Sequence, residues 1–137
     1  MERLRKEELR AETLPGRIIA KAVGKDGPVA SRRMTVGYAD YCIQAGPMEP
    51  HHHAEECVLI LRSDRGSVRF GSDKDRLGPR IPLEAGMLLH FPPLEWHVFE
   101  YDEGGRVEIL FMYGQVDGIR PEEIERDQRG GETGHGE

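Results

Sequence analysis

The chain has 137 residues, 32% of them charged, a formal net charge of −6 and an isoelectric point of about 5.5. This length is enough for one domain with its own apolar core. Because the acidic balance offers no basic face for phosphate contacts, we expect no nucleic-acid partner. No apolar run reaches the roughly 20 residues that span a bilayer, and the N-terminus is too charged for a secretory signal peptide, so we expect a cytoplasmic protein without a membrane partner.

Charged segments flank the central part of the chain. Residues 2 to 12 are rich in Glu, Arg, Lys and Leu and predict a short surface helix, which a Pro-Gly pair ends. Near the C-terminus, "PEEIERDQ" predicts a second helix, and "GGETGHGE" predicts a disordered tail. We therefore divide the chain into an N-terminal extension (1 to 32), a barrel (33 to 116) and a C-terminal helix and tail (117 to 137).

Short apolar or alternating runs recur through the central part, with Gly, Pro or polar residues between them, and each predicts a strand. The predicted strands are residues 17 to 23, 33 to 45, 57 to 63, 67 to 71, 87 to 91, 96 to 101 and 106 to 114. The sequences "SDRG" and "DEGG" predict turns that reverse the chain. Because no helical pattern interrupts these strands, we expect an antiparallel sandwich or barrel.

The stretch "EPHHHAEECVLIL" places three of the six histidines side by side. Residues i and i+2 of a strand point to the same side, so His51 and His53 can point together with His52 turned away. Glu56 begins the next apolar run, and its carboxylate reaches the same point if that run pairs beside the histidines. Two imidazoles and a carboxylate suit a divalent metal, whereas an exposed polar turn is the alternative interpretation.

A further ligand would come from another part of the chain, where His90 and His97 are available outside the tail. His90 lies in the apolar run "LLHF", which favours a structural role in the core or at the rim. Trp96 beside His97 is interpreted as a packing residue. The cysteines Cys42 and Cys57 lie in apolar surroundings and are expected to be buried thiols rather than a disulfide.

The stretch "GMLLHFPPLEWH", taken together with "PHHHAEE", resembles the cupin family of small jelly-roll barrels, whose two sequence motifs carry a metal site. The second cupin motif reads Gly, five residues, Pro, one residue, Gly, two residues, His, three residues, Asn. Gly86, Pro92 and His97 match it in register. Leu94 stands in the place of the second Gly, and Tyr101 stands in the place of the Asn.

The first cupin motif reads Gly, five residues, His-x-His, three or four residues, Glu, six residues, Gly. Gly46, His51, His53 and Glu56 correspond to it, although the span from Gly46 to Glu56 is two residues short. Ser63 occupies the place of the closing Gly. Because of the shorter span, His52 remains an alternative to His51 or His53 as a ligand.

The resemblance implies an all-β, antiparallel jelly-roll β-barrel with short N- and C-terminal extensions. It also implies a metal site formed by His51, His53, Glu56 and His97. Such a site holds one divalent metal ion per subunit, and its donor set suits Fe, Mn, Ni, Co or Zn. Four protein ligands leave positions open for a small molecule on a metal that prefers six.

The family resemblance implies a metal-dependent enzyme that acts on a small oxygenated metabolite held in the barrel, either a dioxygenase or an isomerase, cyclase or lyase. Glu49 or Tyr113 could then serve as acid or base. A non-catalytic module that binds or senses a small molecule is the alternative. Family members that dimerise through N-terminal strands also imply a homodimer, with residues 17 to 36 as the contact that covers an edge strand.

Three arginines on predicted strands bear on the substrate. We interpret Arg62, Arg69 and Arg106 as surface charges, although the sequence does not show which face of its strand each one occupies. An arginine that faces the interior would indicate an anionic substrate, because a buried guanidinium needs a partner.

Overall fold

The structure, a computed structural model, describes residues 1 to 114, in which seven β-strands are connected by loops and two short 3-10 turns. The strands are β1 (Ala11–Leu14), β2 (Arg17–Val23), β3 (Thr35–Tyr41), β4 (Glu56–Gly71), β5 (Ile81–Pro82), β6 (Leu88–Phe91) and β7 (Trp96–Tyr113). The 3-10 turns are Lys6–Glu8 and Ile43–Ala45. The predicted C-terminal helix and tail lie outside the described residues.

All strand pairs are antiparallel, in the order β1-β2-β3-β7-β4-β5, and β6 also pairs with β4. The long strands β4 and β7 are aligned from Glu56 opposite Tyr113 to Gly71 opposite Trp96. The predicted all-β, antiparallel jelly-roll architecture is therefore confirmed. Within residues 1 to 114, no helix has the length and apolar character that crossing a bilayer requires.

The two predicted chain-reversing turns are wrong, because "SDRG" and "DEGG" lie within the continuous strands β4 and β7. They lie opposite each other: Asp64 pairs with Arg106, Gly66 pairs with Tyr101, and the register shifts between the two pairs. Arg65 has a φ of 54° at this shift. Turn-forming residues thus serve as a bulge that bends two long strands together, as bulges commonly do in barrels.

The helix predicted for residues 2 to 12 is also wrong. The segment forms only the turn Lys6–Glu8, and its last residues enter β1. β1 pairs with β2 from Ala11 opposite Ala20 to Leu14 opposite Arg17. Because the apolar face of the segment is thin, a helix would bury little, whereas a strand satisfies the backbone groups along β2. β2 is thus paired on both sides within one chain, and the homodimer stays a prediction.

Alternation along the strands defines the interior of the barrel. On β4, Glu56, Val58 and Ile60 are buried, whereas the residues between them are partly exposed. The same rule places Val107, Ile109 and Phe111 of β7 inside. The core cluster contains Ala39, Tyr41, Val58, Ile60, Val68, Leu83, Phe91, Phe99, Val107, Ile109 and Phe111. A polar residue on these interior faces therefore stands out as a candidate for function.

Candidate metal centre

His51 and His97 are held opposite each other by a pair of backbone hydrogen bonds. The His51 amide donates to the His97 carbonyl at 3.0 Å, and the His97 amide donates to the His51 carbonyl at 2.9 Å. This isolated antiparallel bridge is the only strand-like pairing of the histidine segment in the described chain. Directly opposed residues on paired strands project their side chains to the same face, so the two imidazoles meet inside the barrel.

A second backbone bond fixes the position of His53. Its carbonyl accepts from the Leu94 amide at 2.9 Å. Leu94 holds a φ of 64°, the left-handed conformation that glycine adopts without strain. Leu94, in the place of the motif glycine, thus holds a backbone conformation that costs about 1–2 kcal/mol for a side chain with a β-carbon.

Glu56 enters the site from the first position of β4. The residue is 3% exposed, and its side chain lies on the interior face that Val58 and Ile60 continue. Glu55 precedes the strand and forms an exposed hydrogen bond with His90, with 2.6 Å between the carboxylate oxygen and Nε2. The structure therefore directs Glu56 inward and Glu55 outward.

The three imidazoles of His51, His53 and His97 form a cluster in which one nitrogen from each lies within 4.8 Å of the others. Their ring centroids are 4.4 to 5.2 Å apart. The carboxylate oxygens of Glu56 lie 3.6 Å from His53 Nε2 and 3.7 Å from His97 Nε2. The four predicted ligands thus surround one small region of the interior without strong bonds among themselves.

Backbone carbonyls orient all three rings. The Nδ1–H of His53 donates to the Ala54 carbonyl at 3.0 Å, and that of His97 donates to the Glu95 carbonyl at 3.1 Å. His51 Nδ1 makes a longer contact of 3.5 Å with the Glu49 carbonyl. Since a carbonyl only accepts, each Nδ1 carries the proton and each Nε2 keeps its lone pair. This is the arrangement that outer hydrogen bonds impose on histidines that bind a metal.

The donor set fits a divalent cation on two observations. His97 is 1% exposed, and its Nε2 has no hydrogen-bond partner, a state that costs about 1–3 kcal/mol when nothing else satisfies the atom. Burial lowers the pKa of His51 to about 2 and that of His97 to about 3, and burial also lowers the pKa of His53. The imidazoles are therefore neutral at physiological pH, the form that binds metals.

Glu56 and Tyr113 interact with each other inside the site through a hydrogen bond. Burial raises the pKa of Glu56 to about 8, although a hydrogen bond from the Tyr113 hydroxyl opposes the shift. Burial raises the pKa of Tyr113 well above its ordinary value, so the hydroxyl stays protonated. The Tyr113 oxygen also lies 3.4 Å from His53 Nε2. Tyr113 therefore serves as a hydrogen-bond donor beside the cluster rather than as a base.

His52 points away from the cluster. Its ring stacks on Trp96 with 3.8 Å between ring centroids and 13° between planes, and its Nδ1 lies 3.2 Å from the Leu94 carbonyl. This geometry matches the alternation that turns His52 away from its two neighbours. It also gives Trp96 the packing role expected from the sequence.

A cavity of about 100 Å³ opens beside the histidines and is bounded by β2, β3 and β7. Its lining residues are Arg17, Ile19, Lys21, Ala39, Tyr41, His51, His53, Glu56, Ile109, Phe111 and Tyr113. Glu49 is exposed and absent from this lining, so its carboxylate is not placed as an acid or base. Tyr113, the other residue considered for that role, does line the cavity.

The arginines considered from the sequence do not line this cavity. Arg62 pairs with Asp64 at 2.7 Å, Arg106 pairs with Glu108 at 2.6 Å, and Arg69 donates to the Gly78 carbonyl. The sequence reasoning missed the cations that do line it, Arg17 and Lys21 of β2. The stretch "RIIAKAV" places these two cations four residues apart on a predicted strand, so both share one face, but it does not tell which face of the strand is inside.

Comparisons with protein-family models and with curated proteins found no match. Solved structures do match. A protein from Planctomyces limnophilus is 19% identical, with 86% of this chain and 92% of that chain covered and a TM-score of 0.65. The polyketide cyclase RemF from Streptomyces resistomycificus is 20% identical, with 93% of each chain covered and a TM-score of 0.61.

Oxalate decarboxylase from Bacillus subtilis, a protein with Mn(II) centres, is 17% identical to this chain and has a TM-score of 0.62. The match covers 85% of this chain and 30% of that chain, so this chain corresponds to one part of the larger enzyme. Similarity at these identities shows a shared fold. The protein accordingly has the cupin fold, a small antiparallel β-barrel with a cluster of three histidines in its interior.

Proposed function

We propose that the chain is a divalent-metal-binding cupin in which His51, His53, Glu56 and His97 are the ligands. The observation that carries this proposal is the cluster of three neutral imidazoles, each with Nδ1 on a backbone carbonyl, beside a buried carboxylate. The orphaned Nε2 of His97 supports it, since a buried polar atom without a partner is uncommon in folded proteins. The donor set does not select among Fe, Mn, Ni, Co and Zn.

We further propose that the site acts on a small oxygenated metabolite by redox-neutral chemistry next to a carbonyl group, as an isomerase, cyclase or lyase does. When bound, the cation would supply Lewis acidity toward a substrate oxygen and leave open coordination positions. The full-length match to a polyketide cyclase supports this class over a dioxygenase. Apolar walls formed by Ile19, Ile109 and Phe111 would exclude water from the reacting group.

Tyr113 has a defined part in this proposal. Its hydroxyl stays protonated and lines the cavity, so its one proton can be redirected from Glu56 to an oxygen of a bound substrate. A neutral donor of this kind stabilises negative charge that develops on an oxygen.

Deuterium exchange tests the proposed reaction class. Metal-loaded protein would be incubated in D2O with pyruvate or hydroxyacetone, and exchange at the carbon next to the carbonyl would be followed by proton NMR. We expect exchange faster than that produced by free metal, and none above background for His97→Ala. Oxygen consumption by iron-loaded protein with these compounds would instead favour a dioxygenase. Ligand-induced thermal stabilisation without exchange or product would favour a non-catalytic binding module.

A further inference from the structure

Two cations of β2 face the metal cavity. Arg17 and Lys21 line it together with Ile19, whereas Ile18 and Ala20 line a separate groove on the other face of the sheet. This follows from strand alternation, which places every second residue on one face. The positive charges therefore lie on the cavity side of the sheet.

Arg17 is suited to receive an anion. One of its terminal nitrogens donates to the Pro15 carbonyl at 3.3 Å, and a guanidinium carries five N–H donors in a planar fork that matches a carboxylate. It lines the same small cavity as Glu56 and His51. Arg17 is thus close enough to act electrostatically on a molecule bound beside these residues.

The size and walls of the cavity restrict what this anion can be. Pockets for drug-sized ligands measure about 300–1,000 Å³, whereas this cavity measures about 100 Å³. Ala39 is 1% exposed and contributes only a methyl group where a larger side chain would fill the space. Opposite Ala39 in the pairing lie Ile19 and Ile109, which add apolar surface. A compact molecule with a short carbon skeleton and a charged end fits this lining.

We propose that the substrate of this site is a small carboxylate, whose negative charge Arg17 and Lys21 recognise while its other oxygens face the histidine cluster. The inference rests on the proposed metal-dependent function. A divalent cation would add its charge to that of the Arg17 guanidinium, and the two together would exceed the single carboxylate of Glu56, so the cavity would attract an anion. Arg17 provides the directional contact, and Lys21 adds charge on the same face.

The test compares pyruvate with hydroxyacetone, a neutral compound of similar size that also offers two adjacent oxygens. Both are titrated calorimetrically into Mn(II)-loaded protein, and the metal content of each sample is measured in parallel. The variants are Arg17→Gln, Arg17→Lys and Lys21→Gln. The charge-matched control is Lys25→Gln, since Lys25 is exposed in the turn after β2 and absent from the lining. Thermal melts confirm that each variant folds.

We expect the wild type and Lys25→Gln to bind pyruvate at least about tenfold more tightly than hydroxyacetone, the factor that about 1.4 kcal/mol represents. In Arg17→Gln the preference for pyruvate over hydroxyacetone should fall below about threefold. The preference of Lys21→Gln should lie between those of wild type and Arg17→Gln, and Arg17→Lys should keep part of the wild-type preference. Metal content stays unchanged in all of them. If wild type and Arg17→Gln prefer pyruvate over hydroxyacetone by the same factor, the inference is overturned. Inorganic phosphate that binds more tightly than pyruvate, in an Arg17-dependent manner, overturns the assignment to carboxylates.

Failure of the proposed function has a different signature, because it appears as wild-type protein that takes up no metal. In that case, titrations of pyruvate and hydroxyacetone into the metal-free protein and its variants test the inference about Arg17. An Arg17-dependent preference for pyruvate supports an anion site without a metal, and the absence of a preference overturns the inference.

Discussion

The backbones of His51 and His97 are joined by reciprocal hydrogen bonds of 3.0 and 2.9 Å, although 45 residues separate the two in the sequence. This bridge connects the two motifs directly, since the coil that carries His51 and His53 is attached to the first residues of β7. The geometry of the candidate metal centre therefore depends on the barrel as a whole.

Single alanine substitutions in the histidine run distinguish ligands from neighbours. We expect His51→Ala and His53→Ala to weaken divalent-metal binding at least about 100-fold, since even residues outside the ligand set cost 10–100-fold. His52→Ala removes the stack on Trp96 and the contact with the Leu94 carbonyl, neither of which involves the cluster, so its metal affinity should stay within about threefold of wild type. Calorimetric titration with Mn(II) or Zn(II) measures all three. Loss of binding in His52→Ala with retention in His51→Ala would show that His52 is the ligand.

The stability of the metal-free protein should depend on pH in two opposite ways. His51 and His97 have folded-state pKa values of about 2 and 3, below the ordinary 6.5, so their contribution is present above pH 6.5 and is lost as the pH falls toward 3. Glu56 has a folded-state pKa of about 8, above the ordinary 4.5, so its contribution is present below pH 4.5 and is lost as the pH rises through 8. The contribution of these groups is therefore greatest near pH 6.5.

Thermal melts between pH 4 and 9 check this dependence. Divalent metal should remove the loss of stability above pH 6.5, because a cation stabilises the charged carboxylate of Glu56. Glu56→Gln should remove the same loss without metal, and it should also weaken metal binding. A metal-free wild type whose melting temperature keeps rising from pH 6.5 to 8, with no difference from Glu56→Gln, would contradict the raised pKa of Glu56.

Tyr113→Phe tests the hydroxyl that donates to Glu56. Without this hydrogen bond the pKa of Glu56 should rise further, so metal uptake should need a higher pH than in the wild type. At pH 9, where the carboxylate is ionised in either protein, metal affinity should be close to that of wild type. The pH midpoint of metal uptake measures the shift. An unchanged midpoint would argue against the bond, and lost binding at pH 9 would indicate a structural role for Tyr113.

Gly86 tests the local backbone of the second motif. It has a φ of 92°, and an added β-carbon would meet no atom within 4 Å. Gly86→Ala should therefore reduce the free energy of unfolding through backbone strain alone, by about 1–2 kcal/mol. Denaturant unfolding measures the change, and metal stoichiometry should stay unchanged. A variant as stable as wild type would show that the loop relaxes to a conformation that alanine accepts.

Much of the architecture was predictable because it depends on local patterns. Alternation of residues predicted strands, and it also placed His51 and His53 on the same side of the chain. The stretch "RIIAKAV" predicted β2 with the bounds that the structure has. The direction of Glu56 depended on where β4 begins, which the apolar run after it indicates.

Other features depended on tertiary structure and were beyond local reasoning. "SDRG" and "DEGG" have turn chemistry, yet pairing along β4 and β7 turns them into a bulge. Leu94, in the place of the motif glycine, takes the left-handed conformation, in which its amide donates to the His53 carbonyl. That Arg17 faces the cavity could not be predicted from the sequence, because it depends on how the barrel closes. The sequence of a strand does not show which of its two faces lies inside.

The most direct measurement is the metal content of protein purified without a histidine tag, for wild type, His97→Ala and the control His90→Ala. His90 is exposed and pairs with Glu55 away from the cluster, so its loss should leave the centre intact. We predict about one equivalent of divalent metal in the wild type and in His90→Ala, and none in His97→Ala. A wild type that takes up no metal even after reconstitution, or a His97→Ala variant that retains it, would contradict the proposed metal centre.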